Sequence, residues 1–166
     1  KTQLPSKFQY PLDPSVWMSS LNVRKCKVMN SKKAPLWLDL NNSFSKNTEK
    51  YMFKSGDDLR QDMITLQLLR IMDKLWKSAG MDLCLTFYDC LATGNEIGIL
   101  ELVRDSETIE TITGSVTAAF SDNYIRRYLK SKHPNAESYA VAEENFIQSC
   151  AGYCVFSYIL GIGDRH

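Results

Sequence analysis

The sequence predicts an α+β fold in which an antiparallel sheet, interrupted by one long helix, comes first and helices alone follow. Three observations predict it. Short apolar or alternating runs separated by polar turns occupy residues 21–53 and return over 83–103. Between them, apolar residues recur every three to four positions for five turns, from Leu59 to Trp76. Beyond Arg104 the patterns are helical throughout.

The first sixteen residues carry Pro5, Pro11 and Pro14, and each proline biases its predecessor towards extended backbone. This stretch reads as a lead-in segment without core residues, with 1–20 a linker from an upstream domain. Three antiparallel strands are then expected, around residues 26–29, 35–40 and 51–53, with polar turns at 30–33 and 41–43. Gly56, Asp57 and Asp58 open an amphipathic helix that buries Leu59, Met63, Leu66, Leu69, Met72 and Trp76 and ends near Gly80. At least one of the two aspartates suits an N-cap, where a carboxylate complements the helix dipole. Residues 83–88 and 97–103 read as a further hairpin of the same sheet, turning at 93–95. Helices are expected over 106–112, 122–131 and 137–160, the last becoming apolar all round after Cys150, as a buried helix does.

At 166 residues and 44% hydrophobic, the chain has enough apolar material for one core. Twenty basic against nineteen acidic residues leave a net charge of +1. That argues against a nucleic-acid partner recruited by bulk charge, and any basic patch must be local. Five cysteines without regular spacing and only two histidines suggest reduced thiols in an intracellular compartment and no metal centre. Cys150 and Cys154 lie one helical turn apart with no second pair, which fits core thiols. The N-terminus lacks the apolar stretch of a signal peptide, and the longest nearly apolar run, 151–163, is too short to span a bilayer.

Chemistry concentrates in two places. Alternation puts Phe53 and Lys54 on opposite faces of one strand. A lysine on the cleft side of such a strand suits nucleotide phosphates, although a single lysine at a strand end is commonly a solvated edge residue. A hundred residues later, an aspartate-bearing loop, Gly161-Ile162-Gly163-Asp164-Arg165-His166, follows the long apolar helix. Taken alone, that tripeptide reads as a surface loop.

Three compound motifs raise the functional reading: Met52-Phe53-Lys54-Ser55-Gly56-Asp57-Asp58-Leu59-Arg60-Gln61-Asp62, Ser149-Cys150-Ala151-Gly152-Tyr153-Cys154, and Leu160 through His166. Together, and in this order, they resemble the phosphoinositide 3-kinases from about Cys26 onward. The resemblance implies a two-lobed protein-kinase-like fold of the PI3/PI4-kinase type. Its small lobe of antiparallel sheet plus helix would be 21–104, and 105–166 would begin the helical large lobe as far as the catalytic loop.

The same resemblance implies a set of roles. Met29 to Lys33 would form the phosphate loop, with the Ser31 hydroxyl and amide and Lys33 near the ATP phosphates. The bare sequence reads equally as a polar hairpin turn there. Lys54 would bind the α-phosphate, and Asp57, Asp62 and Tyr88 would line the pocket behind the adenine. Trp37 and Met29 would roof the purine, with Ile99 behind it. The carbonyl of Glu101 and the amide of Val103 would pair with the adenine edge.

Asp164 and His166, with Arg165 between them, would face the attacking hydroxyl, where a carboxylate and an imidazole can orient a nucleophile and handle its proton. Mg²⁺ ligands are expected downstream of His166, so the chain is expected to be part of a longer kinase and inactive by itself. The implied reaction is ATP-dependent phosphorylation of the inositol 3-hydroxyl of a phosphoinositide. The class I-like stretch Ser31 to Trp37 favours the 4,5-bisphosphate. The implied setting is cytoplasmic, with recruitment to the inner face of the plasma membrane, a regulatory subunit and a small GTPase. The alternative is a truncated or non-catalytic nucleotide-binding module of the same fold.

Overall fold

The computed structural model describes residues 4–114 and 122–163. The chain divides into two compact units, one of residues 1–68 and 87–103, the other of residues 69–86 and 104–166.

The first unit is built on an antiparallel sheet of β1 (Phe8–Gln9), β2 (Trp17–Leu21), β3 (Lys27–Val28), β4 (Leu36–Asn42), β5 (Thr48–Ser55), β6 (Cys90–Gly94) and β7 (Ile97–Glu101). The spatial order is β1-β2-β4-β5-β7-β6, and β3 shares one edge of β4 with β2, pairing with Leu36 and Trp37 while β2 takes Leu40 to Asn42. Asn42 closes the β4–β5 turn by accepting from the amides of Phe44 and Ser45 through its side-chain oxygen.

The first sixteen residues do supply core residues, contrary to the expectation. Tyr10 and Met18 form the buried core with Leu40, and Phe8, Leu12, Val16, Leu21 and Tyr51 pack around them. The prolines lie outside the two strands. Pro11 and Pro14 occupy the loop between β1 and β2, which is closed by the Tyr10 amide on the Val16 carbonyl and by Asp13 accepting from the Ser15 amide. A proline-free Phe8–Gln9 and Trp17–Leu21 can therefore pair as strands.

Helix α1 (Arg60–Ser78) follows β5 and runs through both units. Of its expected face, Leu59, Leu66 and Leu69 are buried and Met63, Met72 and Trp76 half-buried. The expected strand at 83–88 is not formed: residues 81–89 are assigned to no strand, and Cys84 has φ +50°. The alternation of Leu83 and Leu85 is used against a helix in place of a strand.

That helix belongs to the second unit, which holds α2 (Ile109–Thr113), α3 (Asp122–Lys132) and α4 (Ala136–Leu160). Asn135 caps α4 by accepting from the Glu137 amide, and Gly161 ends it in the left-handed conformation. The helix is not buried all round after Cys150. Gly152 and Phe156, four apart, are buried, while Val155, Tyr158 and Ile159 are exposed. No described helix is long and apolar enough to cross a membrane.

Candidate active site

β5 runs between β4 and β7, with Tyr51 to Phe53 paired on both sides and Lys54 and Ser55 paired with β7 alone. Lys54 lies opposite Gly98 there. A Cβ on Gly98 would come within 2.5 Å of the Leu91 carbonyl oxygen and 2.6 Å of Leu59 Cδ1. The missing side chain is what lets the start of α1 settle onto β7, and the Gly56 amide fixes the turn by donating to the Glu96 carbonyl at 2.7 Å.

The two aspartates of that turn separate. Asp58 accepts from the Arg60 amide at 3.1 Å and takes its guanidinium in two contacts, at 2.8 and 2.7 Å. These bonds hold its carboxyl at about 2, well below the ordinary carboxylate range. Asp58 is thus the residue occupied by the helix start. Asp57 faces Lys54, with Oδ2 3.3 Å from Nζ.

A second amine reaches the same carboxylate from β3–β4. Lys33 Nζ lies 3.8 Å from Asp57 Oδ1 and donates to the Gly56 carbonyl at 2.6 Å. Its loop is a tight hairpin, closed by the Met29 amide on the Pro35 carbonyl and the Ala34 amide on the Ser31 carbonyl. The Ser31 amide, expected near the phosphates, donates to the Met29 carbonyl at 3.0 Å. Lys33, Lys54 and Asp57 are all partly exposed, and such ion pairs each contribute at most about 1 kcal/mol to stability. Their effect is to aim two amines at one point.

The register also sorts the apolar residues. Trp37, Met52, Leu100 and Cys90 occupy one row across β4, β5, β7 and β6, on the same face as Lys54. Lys27 Nζ lies 4.6 Å above the Trp37 ring. Ile99 pairs with Phe53 and is buried on the opposite face, so it does not share a slot with Trp37; Leu100 takes that place. Sequence reasoning missed Leu100, Met52 and Cys90, although counting alternate residues from Lys54 finds Met52.

Cys90 reports on the charges around it. Burial pushes its thiol up to about 11, the Asp62 carboxylate adds to the rise, and the Lys54 ammonium opposes it. Lys54 and Asp62 therefore both act on Cys90, while Lys54 and Asp57 are in direct contact. Met29 and Tyr88 are half-buried. At the end of β7, the Glu101 amide donates to the Asp89 carbonyl at 2.7 Å, and the Asp89 amide donates to the Glu101 carboxylate at 3.2 Å. Val103 follows the strand as an exposed residue. Asp164, Arg165 and His166 lie outside the described residues.

Two amines converging at the mouth of a sheet face that also carries an indole, a thioether and a leucine suit an anionic group attached to a flat ring. The comparisons point the same way. Residues 48–166 match the family described as phosphatidylinositol 3- and 4-kinase. In Dictyostelium discoideum, phosphatidylinositol 3-kinase 2 is 47% identical over all of this chain, phosphatidylinositol 3-kinase 3 is 46% identical over 98% of it, and phosphatidylinositol 3-kinase 1 is 43% identical over 98%. The chain spans 9%, 10% and 11% of those relatives respectively.

Proposed function

The chain belongs to the phosphatidylinositol 3- and 4-kinase family, and from that membership we propose that it supplies the nucleotide-binding half of a lipid kinase acting on the 3-hydroxyl of an inositol lipid. The convergence of Lys33 and Lys54 on Asp57, beside the Trp37, Met52 and Leu100 face, carries this reading. ATP, when bound, supplies the phosphoryl group to be transferred. Lys54 and Lys33 receive its phosphates in place of Asp57. Trp37, Met52 and Leu100 take the purine, and the segment from Glu101 to Val103 reads its edge. Asp164 and His166 orient the lipid hydroxyl, and Arg165 lies between them.

Among the described residues, no group of three His, Cys, Asp or Glu side chains is placed to hold a metal ion; the divalent metal the family implies would be held by residues downstream of His166. Phosphatidylinositol 4,5-bisphosphate is the proposed substrate, supported by the resemblance of Ser31 to Trp37 to the class I enzymes. A two-lobed arrangement, action at the inner face of the plasma membrane, a regulatory subunit and a small GTPase activator complete the proposal.

The test is transfer of labelled phosphate from Mg-ATP to vesicles containing phosphatidylinositol or its 4,5-bisphosphate by the full-length parent. Lys54→Arg keeps the charge but moves its point of application, and is expected to lower transfer about a hundredfold. A folded parent that binds ATP and labels neither lipid would leave a nucleotide-binding module in place of the enzyme.

A further inference from the structure

The motif at residues 149–154 has no task in the proposed reaction, yet Gly152 and Tyr153 within it meet residues 83–86 closely. The Tyr153 hydroxyl donates to the Thr86 carbonyl at 2.7 Å and accepts from the Thr86 amide at 3.2 Å, so one phenol satisfies both backbone groups of one residue. Gly152, one position earlier, is buried. A Cβ there would meet Leu85 Cδ2 at 2.8 Å, Leu83 Cδ1 at 3.2 Å and Leu83 Cβ at 3.3 Å. Seven residues before it, Asn145 accepts from the Cys84 thiol at 3.3 Å. Asn145, Gly152, Tyr153 and Phe156 form one stripe of α4, and four consecutive residues, 83–86, lie along it.

We infer that Gly152 and Tyr153 are positioning residues that fasten the connector between α1 and β6 to helix α4, and so fix the chain that leads into the nucleotide pocket. The consequence follows along the backbone. Thr86 is two residues from Tyr88 and three from Asp89, whose paired bonds with Glu101 form the last rung before the segment proposed to read the adenine edge. With Thr86 free, the backbone two residues before Tyr88 loses both of its hydrogen bonds to the phenol. The role assigned to Tyr88 and to Glu101 through Val103 rests on the proposed function; the fastening itself rests on the contacts alone.

The experiment uses the full-length parent and Tyr153→Phe, which removes only the hydroxyl. The Kd and KM for ATP are expected to rise about fivefold with kcat changed by less than about twofold, as loss of roughly one net hydrogen bond from a positioning contact predicts. Cys84 borders an open cavity of 880 Å³, and its alkylation is expected to quicken in the same variant. Gly152→Ala is expected to weaken ATP binding in the same way, and Leu85→Ala in that background, by removing the atom its Cβ meets, to restore part of it.

Unchanged ATP affinity in both single variants would overturn the inference. So would a fall in kcat at unchanged KM, which is the mark of lost folded enzyme. A parent that binds ATP but phosphorylates no inositol lipid would refute the proposed activity, while the Kd comparison would still decide the fastening.

Discussion

Asp57 and Asp58 are adjacent and identical, yet the turn sends them to different partners. Asp58 is held by Arg60, and Asp57 is shared by Lys33 and Lys54. The sequence shows that one of them can cap α1, but which one depends on the direction each side chain leaves the turn, and that is settled by Gly56 bonding to Glu96. Lys54 was legible because strand alternation and the motif around it agree. Leu100 was not, because choosing between it and Ile99 requires the β5–β7 register, a non-local fact.

Cys90 gives a prediction at this scale. With its thiol at about 11, the thiolate forms only as pH rises well beyond the range where an ordinary cysteine ionises. Alkylation of Cys90 at pH 8 is therefore expected to be about a hundredfold slower than that of an unperturbed thiol. Asp62→Asn removes one of the raising charges and is expected to shift the rate profile to lower pH. Peptide-resolved mass spectrometry across pH 7–11 reads both. A Cys90 that reacts like a free thiol at pH 8 would contradict the burial described.

At the scale of elements, α1 is the best-specified part of the chain. Its apolar spacing, the capping Asp58 and the strong helix formers of its middle turns all agree. Its seat is specified by Gly98, since a methyl there overlaps both the Leu91 carbonyl and Leu59. Gly98→Ala is expected to cost about 1–3 kcal/mol through this overpacking. Hydrogen exchange should locate the loss in β6, β7 and the first turns of α1, and a neutral outcome would mean that the helix start is not seated as described.

The connector at 83–86 shows where local reading fails. Alternating leucines record that one side is buried, but the same pattern serves a strand beside a strand or an extended chain laid on a helix. Gly152, which admits that chain, stands sixty-seven residues after Leu85.

For the whole molecule, the sequence shows an α+β order and the three helices found after Arg104 among the described residues, but not the strands before Leu21. The prolines that suggest a linker are turn residues, and the core value of Tyr10 and Met18 emerges only when β1 and β2 fold onto β4. Met18 is fully buried, so Met18→Ala is expected to destabilise the first unit by about 2–5 kcal/mol. Faster hydrogen exchange of the β2 and β4 amides would register it. Unchanged protection would return residues 8–21 to the status of a linker.

The Tyr153 contact carries one more consequence, for the behaviour of the chain in company. Residues 82–89 belong to no strand and are partly apolar, and backbone of that kind can recruit a strand from a neighbouring molecule. Thr86, near its middle, has both its donor and its acceptor occupied by the phenol. An incoming strand would find no rung at that point, so the hydroxyl that fixes the connector also guards it against edge-to-edge aggregation.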